Sequence, residues 1–523
     1  MSPSILQWLS LVGIIWLQSI NGTNSDFSAY SSQLKHLLSI SQVQLNNLAF
    51  ASDAGKLFGW FSGVGAVHLP LWLVLMIGSV LGLIGYGVQY LFLVNQISSL
   101  SYWQLFVLCV LAGNSICWIN TVCYMVTIRN FPSDRQVAVG LSTSYVGLSA
   151  KIYNDIVDCV SPSPPVKRAK AYLLLNSIVP MIASVITAPL VREIELGKAI
   201  EMKGGFMAMF VITTATGIYA VLGSTDSIST SFSSSIHAIA MGILLAAPIG
   251  IPIFTGFKES LEGKWWNKRE NRIYNLSVDD QVGIGERVEI EVKEGEVVEE
   301  DGQLIRVKEE IGVKLMIRRV DFWLYFFVYM FGATLGLVFL NNLGQIAESR
   351  GYSKTSSLVS LSSSFGFFGR LIPSILNYFF SKSRYMVSRP ASLAILMVPM
   401  AGAFFLLLNR TNLSLYISTA VIGVCASAIT SIAVSTTSEL FGTKNFSVNH
   451  NILVANIPIG SFLFGYLAAL LYQREGDGQG RCMGTECYRK SFIIWGSVCT
   501  VGTILAFLLH VRTRKFYSQM IAS

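Results

Sequence analysis

Residues 71–94 read LWLVLMIGSVLGLIGYGVQYLFLV, an apolar run that contains no charged residue. At 1.5 Å per helical residue such a run crosses a hydrocarbon core of about 30 Å. Residues 102–128 repeat the pattern. Moving outward from this pair, hydropathy predicts spans near 5–27, 45–67, 71–94, 102–128, 137–159, 170–190, 205–223, 233–256, 320–343, 355–380, 391–408, 413–438, 448–472 and 491–511. These residues predict an all-α polytopic membrane protein.

Composition agrees. The 523 residues are 52% hydrophobic and 13% charged, where soluble domains carry about 25% charged residues. The formal charge of +8 is scattered through loops between apolar runs and forms no single basic face, which argues against nucleic acid as a partner. Met1–Ser10 holds no basic residue and no A-x-A-like site follows, so the N-terminal stretch reads as a first span and not as a cleaved leader.

Residues 257–319 interrupt the pattern. Within them GERVEIEVKEGEVVEEDGQLIRVKEE (285–310) alternates acid and base and is too polar to enter lipid. The expected organisation is a membrane region at 1–256 with about eight spans, a charged linker at 257–319, a six-span half at 320–511 and a tail at 512–523. Eight spans split as six plus two, so two six-span halves flank two extra helices, the plan of major facilitator proteins. An even span number puts the linker on the side of the N-terminus. Its Lys and Arg, with Arg512, Arg514 and Lys515, argue that this side is cytosolic. The cluster Lys167, Arg168 and Lys170 then falls on the opposite side, against the usual bias.

No GxxxxGK[ST], H-E-x-x-H or G-x-S-x-G occurs, which removes support for ATP-driven transport and for familiar hydrolase mechanisms. No cofactor is expected. His36, His68, His237, His450 and His510 lack ligand-like spacing and read as packing or interfacial residues, with no metal site. Asp53 and Lys56, in FASDAGKLFGW, lie mid-span and three residues apart, so one helical face carries both charges. They form either a structural ion pair or a site facing a central pathway, because an intramembrane charge is costly without a partner or a use.

Asn114, Asn120, Asn341 and Asn342 either line a pathway or bond neighbouring helices, as do Gln345, Asn449, His450, Asn451 and Asn456. Arg370, in FGFFGRLIPS, is a candidate clamp for an anionic group or a gate residue. Lys151, Asp155 and Asp158 share a face at the end of the fifth span, as a charged mouth or a solvated helix end. The glycines of GWFSGVGAV and GATLGLVFLNNLG permit close helix contact. Cys482 and Cys487 share a hydrophilic loop and are candidates for a local disulfide, whereas the other six cysteines read as packing residues. Sequons begin at Asn21, Asn275, Asn409, Asn412 and Asn445, and little glycosylation is expected from their positions.

Residues 16–60 (WLQSINGTNSDFSAYSSQLKHLLSISQVQLNNLAFASDAGKLFGW) and 113–135 (GNSICWINTVCYMVTIRNFPSDR) resemble the plant nodulin-like family, which includes the nuclear-fusion-defective-4-like proteins. DFWLYFFVYMFGATLGLVFLNNLGQIAES (321–349) and FGFFGRLIPSILNYF (365–379) resemble the family's C-terminal major facilitator half. The likeness covers nearly the whole chain and implies a bilobed transporter with a midplane site. The usual Gly, Asp and basic loop between spans 2 and 3 is replaced by AVHLPLW, which departs from the superfamily's inner gate. The expected partners are the bilayer and a small solute, an organic anion or a zwitterion, with proton coupling as an option. A receptor or scaffold acting through 257–319 is the competing expectation.

Overall fold

In lipid every backbone polar group must be satisfied within its own segment, so the apolar runs fold as helices. The structure, a computed structural model, describes residues 2–27, 30, 34, 38–161, 165–194, 203–223, 233–261, 310–352, 355–380, 388–476 and 482–522. Fourteen long helical runs lie among them. These are α1 (Pro3–Ile20), α2 (42–68), α3 (Leu71–Leu93), α4 (Tyr102–Asn130), α5 (135–160), α6 (Pro165–Thr187), α7 (Lys203–Leu222) and α8 (Ser234–Leu261). After the 262–309 stretch, which lies outside the described residues, come α9 (Val320–Ser349), α10 (Thr355–Phe380), α11 (Arg389–Leu406), α12 (Asn412–Phe441), α13 (Phe446–Arg474) and α14 (Glu486–Ala522).

Eleven of these helices are long and apolar enough to cross a membrane, and the chain is a multi-pass membrane protein. The exceptions are α2, α5 and α10. In α2 and α5 a tight 3₁₀ turn interrupts the α-helix, at Gly55–Phe58 and Tyr145–Leu148. The first half of α10 is rich in serine.

Helix α1 is built into the bundle. Gln7 Nε2 donates to the Asn130 carbonyl of α4 at 2.7 Å, and Trp16 Nε1 donates to the Leu245 carbonyl of α8 at 2.8 Å. The α3 glycines Gly78, Gly82 and Gly85 recur along the face that meets Trp118, Ser115 and Ala112 of α4, so the two helices pack closely. Helix α3 also packs on α6. In the C-terminal bundle α10 packs on α12, and α11 on α12 and α14. Helix α8 lies against α5, and α7 against α10.

The two bundles meet through α2 with α13 and through α5 with α10. A Cβ on Gly63 would sit 2.7 Å from the Ser447 carbonyl oxygen, and Ser447 Oγ donates to the Gly63 carbonyl at 3.0 Å. Gly140 makes a similar approach to Ser374, whose Oγ donates to the Val137 carbonyl at 2.7 Å. Thus Gly59 and Gly63 of GWFSGVGAV seat the opposite bundle, whereas Gly65 faces Trp118 of α4. At the other end of the bundle, Cys482 and Cys487 form a disulfide beside the start of α14, and Gly484 N donates to the Ser349 carbonyl of α9.

Candidate functional site

Between the two bundles lies a cavity of about 1100 Å³, lined by residues of both. It runs from Lys56, Tyr124, Tyr329 and Arg370 to the end of the bundle where α1, α5 and α9 finish, at Asp26, Asp158 and Glu348. The contacts at Gly63 and Gly140 close the opposite end.

Local backbone irregularities aim the polar groups. In the 3₁₀ turn of α2 side chains three apart eclipse, and Lys56 Nζ donates to Asp53 Oδ1 at 2.6 Å. Both residues are buried. The turn is held by a backbone contact: a Cβ on Gly55 would collide with the Val110 carbonyl of α4, and one on Gly113 with the Ser52 carbonyl of α2. From the other bundle, Ser461 Oγ donates to Asp53 Oδ2 at 2.9 Å and Asn341 Nδ2 donates to the same oxygen at 3.3 Å. Ser461 opens a π-bulge, Ser461–Gly465, in α13, and α9 carries another at Met330–Thr334. Such bulges rotate the following face of a helix. Thr334 Oγ1 donates to Asn456 Oδ1 at 2.8 Å between the two.

Arg370 of α10 reaches across to α5, where Nη1 donates to the Thr143 carbonyl at 3.1 Å. Its Nε is buried without a hydrogen-bond partner, and it forms no ion pair among the described residues. Burial of an uncompensated guanidinium is costly. The other cationic side chains of the lining are paired: Lys56 with Asp53, Lys151 with Asp155 at 2.6 Å, and Arg168 with Asp158.

Asp53, Lys56, Asn120, Asn341 and Arg370 all line this cavity, as do Lys151, Asp155 and Asp158. Asn114 and Asn342 do not. Asn114 borders a separate apolar groove with Phe61, His68 and Trp118, because six residues separate it from Asn120 and turn it about 120° round α4. The Asn342 amide bonds back to the Val338 carbonyl at 2.8 Å, and serves its own helix. His237, read as a packing or interfacial residue, also lines the cavity, as does His450, for which lining a pathway was one of the readings. Sequence reasoning also missed Asn21, Asp26, Tyr124 and Tyr329. Asn21 Nδ2 donates to Asn120 Oδ1 at 3.0 Å, a link that only tertiary packing creates. His36, Asn275 and the 285–310 charge run, apart from Glu310, lie outside the described residues. Among the described residues no cluster of three or more His, Cys, Asp or Glu has metal-binding geometry.

Comparison with known proteins fits this geometry. Residues 7–253 match the Nodulin-like family and residues 305–519 match the NFD4, C-terminal domain family. The chain is 37% identical to Protein NUCLEAR FUSION DEFECTIVE 4 of Arabidopsis thaliana, over 98% of this chain and 90% of that protein. Among solved structures, a proton:xylose symporter of the major facilitator superfamily superposes with a TM-score of 0.57 at 11% identity, over 97% of this chain and 96% of the symporter. A peptide transporter superposes with a TM-score of 0.53 at 12% identity, over 98% and 94%. At such identities the likeness establishes the fold alone. The chain belongs to the plant nodulin-like, nuclear-fusion-defective-4-like family and has the fold of the major facilitator transporters.

Proposed function

We propose that the protein is a secondary transporter that moves a small organic anion or zwitterion by alternating access, without ATP. The observation that carries this reading is the composition of the central cavity. A polar chamber shared by two bundles holds a neutralised Asp53–Lys56 pair and, close by, the unpaired guanidinium of Arg370. The residual positive charge deep in the chamber attracts an anionic group, and the forked donors of Arg370 suit a carboxylate. Asp53, Lys56, Asn120 and Asn341 surround the remainder of the solute.

The bundles rock about this site. With the linker and both ends of the chain on the cytosolic side, the present arrangement opens away from the cytosol. Closing that mouth reorders the bonds that Asn341 and Ser461 make to Asp53. Uptake of a panel of labelled metabolites into proteoliposomes, with and without a pH gradient, tests the reading against Asp53→Asn. Uptake by the native chain that is lost in well-folded Asp53→Asn supports it. No uptake of any solute by the native chain overturns it.

A further inference from the structure

Residues 312–323 read GVKLMIRRVDFW and lead from the linker into α9. The stretch is fixed to the C-terminal bundle. Ile311 N donates to the Phe441 carbonyl at 3.1 Å, and Asn449 Nδ2 donates to the Ile311 carbonyl at 2.8 Å. The helical turn Val313–Met316 packs on the start of α13. Ile311, Met316 and Phe322 are buried, whereas Leu315 and Val320 are 52% and 57% exposed. Ile317 and Trp323 are exposed too, and Trp323 Nε1 donates to the Ile317 carbonyl at 2.8 Å, which ties the indole to the stretch. Lys314 and Arg318 stand exposed among these apolar side chains and form no ion pair among the described residues.

The acids around them already have partners. Glu310 accepts from the backbone N–H groups of Thr443 and Lys444 at 3.2 and 2.8 Å. Asp321 accepts from Arg512 Nε at 2.6 Å, and Glu439 accepts from Arg389 Nε at 3.3 Å and from the Tyr517 hydroxyl at 3.1 Å. The Asp321–Arg512 pair brings the end of α14 alongside, and Lys515 follows Arg512 by three residues on the same face. Lys515 and Lys444 are exposed and, among the described residues, outside any ion pair. Uncompensated cations thus border exposed leucine, isoleucine, valine and tryptophan side chains where α9 enters the apolar belt.

That combination selects its ligand. A free phosphate matches the charge and leaves Leu315 and Val320 in water. A zwitterionic lipid covers the apolar residues but brings its own ammonium group into the cationic cluster. An anionic phospholipid satisfies both, since juxtamembrane Lys and Arg attract its headgroup while apolar and aromatic neighbours meet its chains. We propose that this surface binds an anionic phospholipid of the leaflet that it faces. Lys314 and Arg318 take the headgroup, Lys444 and Lys515 stand at its rim, and the acyl chains lie along Leu315, Val320 and Trp323. The site requires only that the chain spans a membrane. It depends neither on the transporter reading nor on which side of the membrane this end faces.

Native mass spectrometry of the detergent-purified full chain, titrated with phosphatidylserine or with phosphatidylcholine of the same acyl chains, tests it. The native chain is expected to retain phosphatidylserine in preference. Each cation near an anionic headgroup strengthens association about fivefold, so Lys314→Gln with Arg318→Gln weakens phosphatidylserine binding about 25-fold. Lys314→Arg with Arg318→Lys keeps both charges and retains binding, which separates lost charge from lost folding. Arg410→Gln with Arg489→Gln removes two exposed cations at the disulfide end and leaves the affinity native. Leu315→Ser with Val320→Ser leaves every charge in place and still weakens binding. Glycerophosphoserine, the headgroup without chains, does not displace the lipid at equal concentration. Equal retention of the two lipids by the native chain, or undiminished phosphatidylserine binding in Lys314→Gln with Arg318→Gln, overturns the proposal. Displacement by glycerophosphoserine overturns it as well, because the cluster is then a site for free anions.

Discussion

Asp53 of α2 accepts a hydrogen bond from Ser461 of α13 at 2.9 Å, across the boundary between the two bundles. The same carboxylate binds Lys56 of its own helix through its other oxygen. One side chain therefore neutralises a buried cation and ties the two halves together, so its removal has separable effects on stability and on movement.

Asp53→Asn leaves the Lys56 ammonium buried and unpaired. Removing one partner of a buried pair costs about 3–5 kcal/mol, which lowers the melting temperature in detergent. The double variant Asp53→Asn with Lys56→Met removes the stranded charge and recovers most of that loss without recovering uptake. If the double variant is as unstable as the single one, the pair is not what Asp53 stabilises.

Ser461→Ala removes one neutral donor and leaves the Lys56 pair intact. A hydrogen bond to a charged group contributes about 1.5–3 kcal/mol. The stability change is expected at the low end of that range, because Asn341 still donates to the same oxygen. Transport rate rises or falls with the ease of breaking the inter-bundle tie, and affinity is unchanged. A change confined to affinity contradicts this assignment.

Much of this architecture is legible from hydropathy, and the places where it fails have a common cause. The runs that are not continuous apolar helices, α2, α5 and α10, carry Asp53 and Lys56, the Lys151 to Asp158 face, and Arg370. They line a polar chamber, so their composition is diluted by the residues that do the chemistry. Which amide on a helix faces that chamber is a matter of about 100° per residue. Asn341 looks in and Asn342 looks away, one step along the same helix. Asp26 was invisible for a different reason: it sits in a short turn after α1, and only the packing of other helices buries it against the cavity wall.

Arg370→Lys keeps the charge and discards the planar fork. If a carboxylate is held by paired donors, the lysine variant binds anionic solutes more weakly, and Arg370→Gln loses them. The loss in KM is expected to exceed the loss in kcat for Arg370→Lys, since a point charge still attracts the solute but does not orient it. Equal activity in all three proteins rules out an anion subsite at this position.

Gly113→Ala tests how α2 is positioned. The added methyl would collide with the Ser52 backbone carbonyl, one residue before Asp53. Overpacking of this kind costs about 1–3 kcal/mol, and here it also displaces the 3₁₀ turn that aims Lys56. Gly402→Ala on α11 meets open space and serves as the reference. The expected pattern is a lowered melting temperature and lost uptake for Gly113→Ala, with neither change in Gly402→Ala.

Gly63→Leu acts at the closed end of the chamber. The Ser447 carbonyl oxygen lies 2.7 Å from where even a Cβ would sit, and the neighbouring Ser447 Oγ already donates to the Gly63 carbonyl. A leucine cannot be accommodated there without parting α2 from α13. The two bundles are joined at this end also by the Gly140 and Ser374 contact, so the wedge shifts the population toward the arrangement that opens on the linker side and does not simply unfold the chain. Accessibility of a cysteine placed at Asn154, in the cavity wall near the present mouth, reports the change. A membrane-impermeant thiol reagent applied from the disulfide side should label Asn154→Cys readily in the native background and slowly with Gly63→Leu. Equal labelling rates in two equally folded proteins would mean that the contact at Gly63 does not hold the closed end shut.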